Sequence, residues 1–468
     1  MRIYTEDIVQ HDGKEIELKG WVDTRRDHGK LIFIDLRDAK GIAQVVFPPH
    51  DKELVEQAGH LRPEWVVCVR GTVQKRPANM ENKNVSNGAY EISASGIEIL
   101  SESKTPPFSV TSDGREIGED GRMRYRYLDL RRSRMQKNIR ARSNVNAVMR
   151  NFLNSKNFVE IETPILGKST PEGARDYLVP SRLQTGLWYA LPQAPQQYKQ
   201  LLMASGMERY YQIARCFRDE DTRGDRQPEF TQLDLEMSFV EREDVMAINE
   251  ELLIHIVKTL YPEKKIQEIP FPRMTYREAM ERYGNDRPDL RKEKDDPHSL
   301  AFSWIVDFPF FEKNNEGGWT FTHNPFSAPK SQYMDDLLKQ KNIGEILTSQ
   351  YDIVLNGWEI GGGSIRNHRP EALRAVLSIM GFSEEKIENH FGHMLQAFEY
   401  GTPPHGGIAW GLDRLLMILE NEPNIREVIA FPKTGDGRDL LMNAPSEVSK
   451  EQLEELRIEV KKSTKKHP

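Results

Sequence analysis

The residues best suited to chemistry lie close together at positions 215–232, where arginines alternate with acids around a glycine-containing loop. Alternating apolar residues before and after this segment predict two strands, with Asp234 and Glu236 on one face of the second strand. Arginine holds phosphate and carboxylate groups with a planar fork, and Phe230 can lie flat on a base. The segment therefore predicts a nucleotide clamp, and the alternative is a solvated surface hairpin.

Two other segments have a related character. Residues 158–166 alternate like a strand until Pro164, and residues 407–419 join a strand to an apolar helix with Arg414 at the junction. In this order the three segments resemble motifs 1, 2 and 3 of the class II aminoacyl-tRNA synthetases. Three more segments are similar to the bacterial type of the aspartyl-tRNA synthetase family: 169–180, 192–200 and 358–366. The resemblance extends from about the first residue to the last.

Composition bounds the class of protein. A chain of 468 residues is too long for one compact core, so we expect two or three domains. No apolar run approaches the ~20 residues that cross a bilayer, and no signal-peptide core opens the chain, so we expect a cytoplasmic protein with no membrane partner. The two cysteines, Cys68 and Cys216, exclude a disulfide framework and a thiolate metal cage. A net charge of -7 indicates that any binding of nucleic acid uses local patches.

The first part of the chain differs in pattern from the rest. Residues 1–105 contain short strand patterns separated by glycine and aspartate turns, which predict an OB-fold β-barrel. Residues 106–134 form a linker whose basic run, 122–134, is either an RNA-binding patch or a charged hinge. Residues 135–468 alternate strands and helices irregularly, which predicts an antiparallel sheet flanked by helices and, for the whole chain, the α+β class. The sequence has no Walker loop, so side chains must hold a nucleotide.

The resemblance implies a two-step reaction in which ATP and L-aspartate are substrates and Mg²⁺ is the cofactor. The aspartate carboxylate attacks the α-phosphate of ATP, and a ribose hydroxyl at the 3′ end of tRNA then attacks the adenylate. Arg218 and Arg414 are the implied catalytic residues, and Asp352 and Glu359 are the implied metal ligands. The implied ATP-binding residues are Arg218, Asp219, Glu220, Gln227, Phe230, Glu359, Gly411, Leu412, Asp413 and Arg414. The implied aspartate-binding residues are Glu172, Gln196, Lys199, Arg218, Asp234, His323 and Arg366.

The chain departs from the bacterial family at two places. Family members have a sizeable extra domain between the segments that resemble 274–280 and 305–311, whereas this chain has only the polar stretch 286–297 there. The insertion domain expected near 285–300 is therefore absent, which is expected to remove RNA or dimer contacts rather than activity. The second departure is Asn324, where many bacterial relatives have a second histidine after His323.

The resemblance also implies that the barrel reads a tRNA anticodon. The implied reader residues are Arg26, His28, Phe33, Gln44 and Asn79. His28 and Asn79 fall where family members that charge only tRNA(Asp) differ from those that also charge tRNA(Asn), and His28 favours the relaxed type. The alternative is that His28 is a solvated loop residue. The implied RNA partner is tRNA(Asp), with tRNA(Asn) left open.

Three rival functions are an asparaginyl or lysyl enzyme of the same subclass, a catalytically retired RNA-binding paralogue, and a ligase that makes free asparagine. The combination of Lys199, Asp234 and Arg366 argues against the first. The intact catalytic arginines argue against the second, and the barrel argues against the third. Motif 1 usually builds a dimer interface in this class, so the resemblance implies a homodimer.

Overall fold

The computed structural model describes residues 2–29, 31–83 and 85–461. The chain divides into two compact units, residues 1–117 and 118–468. The division falls inside the segment 106–134, which the sequence predicts as a linker. Within the described residues, no helix is both long and apolar enough to span a membrane.

The smaller unit is a closed five-stranded β-barrel. Its strands and its α-helix are Glu15–His28 (β1), Leu31–Arg37 (β2), Ile42–Phe47 (β3), Lys52–His60 (α1), Val66–Lys75 (β4) and Tyr90–Ser101 (β5), with 3-10 helices at Thr5–His11 and Ala78–Met80. The order around the barrel is β1-β2-β3-β5-β4, and β5 lies outside the predicted strand patterns. Alternate residues such as Leu18, Val22 and Ile34 fill the interior, because successive side chains of a strand point to opposite faces. The predicted barrel is confirmed.

The larger unit is built on one large sheet. Its strands are Val159–Glu160 (β6), Leu178–Pro180 (β7), Trp188–Ala190 (β8), Arg209–Phe217 (β9), Glu229–Ser238 (β10), Lys265–Ile266 (β11), Arg273–Thr275 (β12), Ser299–Leu300 (β13), Phe302–Val306 (β14), Phe311–Lys313 (β15), Trp319–Phe321 (β16), Gln350–Leu355 (β17), Trp358–Ile365 (β18) and His405–Gly411 (β19). Eight of them form the sheet, in the order β12-β14-β17-β18-β19-β10-β9-β6. The central pairs are antiparallel, and the two edge pairs, β12 with β14 and β6 with β9, are parallel.

Helices flank this sheet. They are Glu119–Arg124 (α2), Arg126–Asp129 (α3), Ser133–Ser155 (α4), Gln196–Ala204 (α5), Arg242–Leu260 (α6), Tyr276–Tyr283 (α7), Met334–Leu338 (α8), Pro370–Ile379 (α9), Glu384–Phe398 (α10), Leu412–Leu419 (α11) and Lys450–Leu456 (α12), with 3-10 helices at Ser331–Tyr333, Ile343–Glu345 and Ile425–Val428. On β10, Leu233 and Leu235 join the main core formed with α4, α6 and α11. Asp234 and Glu236 therefore point to the opposite face of the sheet. The α+β class is confirmed.

The segment 158–166 forms less strand than predicted. Only Val159–Glu160 pairs with β9, at the edge of the sheet. The amide of Ile161 still donates to the carbonyl of Tyr211, at 3.1 Å, and the chain then leaves the sheet. Pro164 has no N–H, so the ladder cannot resume at that residue.

Three arginines of the basic run 122–134 lie inside the protein. Arg122, Arg126 and Arg132 are all buried. Arg126 and Arg132 donate to Asp129 at 2.6 and 2.7 Å, and Arg122 donates to Glu427 at 3.0 and 2.8 Å. A buried guanidinium is tolerated only with such partners. The run therefore ties the first helices of the larger unit to the 3-10 helix near residue 427, and these three arginines do not form an RNA-binding patch.

Glu427 makes the stability of this unit depend on acid pH. Burial alone would raise the pKa of Glu427, but Arg122, Arg134 and Arg126 lower it to about 2, against an ordinary value of 4.5. The carboxylate therefore stabilises the fold fully above pH 4.5, and this contribution is lost as the pH falls towards 2. A shift of this size corresponds to about 3 kcal/mol of unfolding free energy.

We expect Glu427→Gln to lose this stability at neutral pH, and its unfolding free energy to fall less steeply as the pH is lowered. Urea unfolding from pH 7 to pH 3 measures both effects. The exposed Glu371→Gln variant is the control. If the unfolding free energy of Glu427→Gln fell with pH as steeply as that of the unmodified chain, Glu427 would not be the group responsible.

Candidate active site

A cavity of about 570 Å³ opens on the polar face of the large sheet. The hairpin of β9 and β10 contributes one wall, strands β17 to β19 contribute another, and the loops before β7, before α5 and after β16 close the sides. Most of the residues implied by the sequence line this cavity: Glu172, Gln196, Lys199, Arg218, Glu220, Gln227, Phe230, Asp234, His323, Asp352, Glu359, Arg366, Gly411, Asp413 and Arg414. Two of them, Asp219 and Leu412, are not among its lining residues.

Four buried charges form a cluster at one end of the cavity. Lys199 donates to Asp234 at 2.8 Å and lies 3.3 Å from Glu236. Arg366 donates to both oxygens of Glu236, at 2.8 and 3.1 Å. All four side chains are at most 3 % exposed, and their charges sum to zero. One oxygen of Asp234, Oδ1, has no hydrogen-bond partner, although it is buried. The cluster can therefore still accept a hydrogen bond from a cation.

Glu236 is the member of this cluster that the sequence reasoning missed. Its position on β10 placed it on the same face as Asp234, but its partner Arg366 is 130 residues away along the chain. Burial opposes ionisation of Glu236, yet Arg366 and Lys199 lower its pKa. The signal available in the sequence was the i, i+2 spacing of two acids on a strand that is otherwise apolar.

Two polar side chains border the cluster. Glu172 accepts a hydrogen bond from the hydroxyl of Thr170 at 2.9 Å, in the loop before β7. Burial raises the pKa of Glu172 to about 7. Gln196 stands at the first turn of α5 and donates to Gln200 at 3.0 Å. Both side chains present oxygen atoms suited to an ammonium group.

Two further arginines, Arg218 and Arg414, line the cavity. The guanidinium of Arg218 lies 5.0 Å from the ring centre of Phe230, and its Nε, although buried, has no hydrogen-bond partner. Arg414 follows β19 on the first turn of α11 and donates to the carbonyl of Glu359 and, at 3.0 Å, to Asp225. Arg218 is therefore held by a ring face and keeps its donors for an anion, whereas Arg414 is held by two oxygens.

Gln227 and Asp413 differ in what they bind. The amide oxygen of Gln227 accepts a bond from the backbone of Lys433 at 2.7 Å, and its buried Nε2 is unpartnered. Asp413 accepts the backbone N–H of Thr231 at 2.9 Å and also binds Arg142. Asp413 is thus engaged by protein groups that hold the hairpin against α11, while Gln227 keeps a free donor.

Asp352 and Glu359 approach each other across Gly362. A Cβ added to Gly362 would stand 2.8 Å from Asp352 Oδ1 and 3.8 Å from Glu359 Oε1, so glycine keeps this space open. Burial, and next the charge of Glu359, raises the pKa of Asp352 well above its ordinary value. Two carboxylates in this relation call for a cation between them. Within the described ranges, no group of three or more His, Cys, Asp or Glu side chains has a metal-binding arrangement.

His323 and Asn324 play unlike parts. His323 Nδ1 is 3.9 Å from Asp352, its ring meets Phe308 edge-on at 4.5 Å, and burial lowers its pKa. The side chain of Asn324 accepts bonds from the Phe326 amide at 3.0 Å and the Ser327 hydroxyl at 3.3 Å. Asn324 therefore shapes its own turn.

The residues implied as anticodon readers lie on the outer side of the barrel. Arg26 donates to Asp35 and Gln44, and Gln44 donates to Glu91 at 2.9 Å. Glu91 also accepts from Gln74, at 3.0 Å, and it was missed by the sequence reasoning. This surface therefore presents both hydrogen-bond donors and hydrogen-bond acceptors, which are the groups that bind base edges.

The aromatic part of that surface is half-exposed. The ring of Phe33 meets the ring of His28 edge-on, with centres 5.8 Å apart. Phe33 is partly exposed and is therefore not a residue of the barrel core, while His28 and Asn79 are exposed. Asn79 lies in the 3-10 helix Ala78–Met80, between β4 and β5.

Family models match both units. Residues 118–435 match the model described as tRNA synthetases class II (D, K and N), and residues 16–100 match the model of the OB-fold nucleic acid binding domain. The chain therefore belongs to the class II tRNA synthetases.

Curated relatives narrow the class. The chain is 43% identical to the aspartate–tRNA(Asp/Asn) ligase of Rubrobacter xylanophilus, over 95% of this chain and 94% of that protein. It is 41% identical to the aspartate–tRNA ligase of Listeria monocytogenes, over 97% of this chain and 98% of that protein. This chain belongs to the aspartate–tRNA ligase family of class II synthetases. The Rubrobacter alignment spans 570 positions against 468 residues here, so that relative has more than one hundred positions that this chain lacks.

Solved structures share the fold. The asparaginyl-tRNA synthetase of Pyrococcus horikoshii complexed with asparaginyl-adenylate superposes with a TM-score of 0.73 and 22% identity, over 93% of this chain and 98% of that chain. A putative aspartyl-tRNA synthetase from Leishmania major gives a TM-score of 0.74 at 21% identity, over 92% of this chain and 93% of that chain. At these identities the similarity establishes the architecture alone.

Proposed function

We propose that this chain activates L-aspartate with ATP and transfers the aspartyl group to the 3′ end of tRNA(Asp) and tRNA(Asn). The observation that supports this most strongly is the buried cluster of Lys199, Asp234, Glu236 and Arg366 in the same cavity as Arg218 and Arg414. The cluster offers two cations and two anions, and aspartate carries two carboxylates and one ammonium. A neutral asparagine side chain would make weaker hydrogen bonds to Lys199 and Arg366 than a carboxylate does, which disfavours asparagine as the substrate.

The first step requires an attacking carboxylate and an α-phosphate to meet. Arg218 lines the same cavity as the charged cluster, its donors are unoccupied, and its guanidinium can bind both anions at once. Arg414, held by Glu359 and Asp225, would bind the leaving pyrophosphate. Gln227 has a free donor for the adenine, and the ring of Phe230 can stack on it. Neither arginine needs to gain or lose a proton.

Mg²⁺ forms part of this proposal. Asp352 and Glu359 would hold it, because they form a partly buried carboxylate pair with open space at Gly362. When bound, the ion would neutralise charge on the phosphates of ATP. The chain's own contribution is to keep these two carboxylates together and to hold His323 beside Asp352.

A homodimer is also proposed. Large apolar side chains are exposed where the chain leaves the edge strand β6: Val159, Ile165 and Leu166 are 46%, 41% and 52% exposed. A second copy would remove this surface from water. Light scattering of the purified chain would give twice the chain mass; a monomer at micromolar concentration would contradict this part of the proposal.

The proposed function is tested by charging transcribed tRNA(Asp) and tRNA(Asn) with labelled aspartate. We expect both RNAs to be charged, and His28→Leu to reduce charging of tRNA(Asn) more than that of tRNA(Asp). Charging of tRNA(Asp) alone by the unmodified chain would discard the role of His28. If neither RNA is charged, aspartate-dependent pyrophosphate exchange separates a defect in RNA docking, where exchange persists, from an inactive site, where it does not.

The Michaelis constant for aspartate should depend on pH through Glu172. Its pKa of about 7 means that the carboxylate is ionised above this pH and protonated below it. Only the ionised form attracts the substrate ammonium, so we expect the KM for aspartate to rise about tenfold per pH unit below 7. Pyrophosphate exchange from pH 6 to pH 8.5 measures this. Glu172→Gln should raise the KM at pH 8.5 and remove the dependence, whereas an unchanged profile in Glu172→Gln would assign it to another group.

A further inference from the structure

A row of three polar side chains extends from the aspartate end of the cavity into the core. Gln196 and Gln200 are one helical turn apart on α5, and His405 opens β19. Gln196 Nε2 lies 3.0 Å from Gln200 Oε1, Gln200 Nε2 lies 3.2 Å from His405 Nε2, and His405 Nδ1 lies 2.8 Å from the carbonyl oxygen of Pro403. Gln200 and His405 are fully buried. Nothing in the reaction described above uses them directly.

The last partner in the row determines which way every hydrogen bond runs. The Pro403 carbonyl can only accept, so His405 Nδ1 must carry the hydrogen. In the neutral ring, Nε2 is then an acceptor and takes its bond from the amide nitrogen of Gln200. The amide oxygen of Gln200 faces outwards and accepts from Gln196 Nε2. Because the NH₂ group of Gln196 is turned towards Gln200, its carbonyl oxygen is turned away from Gln200 and is left to accept a bond in the cavity.

We propose that Gln200 and His405 are positioning residues that fix the side-chain amide of Gln196 so that its carbonyl oxygen accepts a hydrogen bond from the α-ammonium of aspartate. This inference rests on the proposed function and adds to it a recognition device for the amino group. An amide that rotated freely would present its NH₂ group half of the time, and an NH₂ group cannot accept a bond from an ammonium.

The surroundings of His405 keep the row in one direction. Burial lowers the pKa of His405 to about 4, although the charge of Glu236 opposes this; Arg366 and His368 also face the ring. Lys199, on α5, is neutralised by Asp234 and Glu236. A protonated ring would donate from both nitrogens and would reverse both amides, turning the NH₂ group of Gln196 towards the substrate. The neutral ring excludes this arrangement.

The test compares aspartate with succinate, which has both carboxylates but no ammonium. For the full-length chain, pyrophosphate exchange gives the KM for aspartate and the inhibition constant of succinate. Gln200→Leu keeps the helix and removes the relay, so we expect the KM for aspartate to rise about tenfold while the constants for succinate and ATP stay unchanged. Asn249→Leu removes another fully buried amide, outside the cavity, and should leave the ratio of the two constants as it is.

Substitutions of His405 provide an independent comparison if Gln200→Leu does not fold. His405→Gln retains an acceptor for Gln200 and should preserve the ratio, whereas His405→Leu should lose it. Equal changes for aspartate and succinate, or no change for either, in a chain that exchanges pyrophosphate with aspartate, would overturn this inference alone. Absence of aspartate-dependent exchange in the unmodified chain would overturn the proposed function, and this inference with it.

Discussion

Replacing Arg218 by alanine is expected to lower kcat/KM for aspartate-dependent pyrophosphate exchange by about 10³-fold or more. Its guanidinium rests on Phe230 and keeps its donors free, so that it can bridge the attacking carboxylate and the α-phosphate. That bridge both aligns the reactants and stabilises the charge of the transition state. Because the side chain makes no hydrogen bond or ion pair in the described structure, the melting temperature should change little.

Arg215 provides the matched control. It lies on β9, three residues before Arg218, but its guanidinium is paired with Thr231 at 3.0 Å and Glu229 at 2.6 Å, outside the cavity. Arg215→Ala should retain exchange activity. If both variants lost activity equally, the effect would belong to the hairpin as a whole rather than to a bridge made by Arg218.

Replacing Arg366 by leucine is expected to damage both activity and stability, and the two effects can be separated. The single variant removes a proposed carboxylate reader and leaves Glu236 short of its bidentate partner. Breaking a buried pair in this way typically lowers unfolding free energy by about 3–5 kcal/mol. In the double variant Arg366→Leu/Glu236→Gln, no acid is left uncompensated, so most of that stability should return. The kcat/KM for aspartate should stay at least about 100-fold below the unmodified value in both variants.

Urea unfolding and pyrophosphate exchange are measured on four proteins, which form a double-mutant cycle: the unmodified chain, Arg366→Leu, Glu236→Gln and the double variant. Recovery of exchange in the double variant would mean that Arg366 only neutralises Glu236 and does not read the substrate. A cycle in which stability does not recover would mean that Lys199, left with Asp234 alone, cannot hold the remaining cluster together.

Local patterns predicted the fold well because they depend on neighbouring residues. The alternation of apolar residues defined β9 and β10. The strand patterns of the first unit were sufficient to predict a barrel, although they did not include β5, which closes it between β3 and β4. Segment 158–166 was over-predicted because the alternation of side chains continues past Ile161, where backbone hydrogen bonding to β9 ends. Alternation of apolar side chains carries no information on which backbone N–H groups find a partner, so it cannot predict where such a strand ends.

Partnerships between distant residues could not be predicted in the same way. The composition of the run 122–134 allowed either an RNA-binding patch or a hinge. Only the bonds of its arginines to Glu427, far along the chain, and to Asp129, within the run, showed that these arginines are buried. Glu236 was overlooked because its role depends on Arg366, and Glu91 because its role depends on Gln44 and Gln74. The resemblance to a known family placed Lys199, Asp234 and Arg366 in one site. The distances between these side chains could be obtained only from the folded structure.

The bond between Arg122 and Glu427 also has a consequence for synthesis on the ribosome, because it joins residues 305 positions apart. At translation rates of roughly 5–20 residues per second, Arg122 waits about 15 to 60 s before its acid emerges. Strands β9 and β10, by contrast, are neighbours in sequence and can pair early. The larger unit therefore closes only near the end of translation, and a ribosome that stalls before residue 427 leaves buried arginines without their counter-ions, a target for chaperones and proteases.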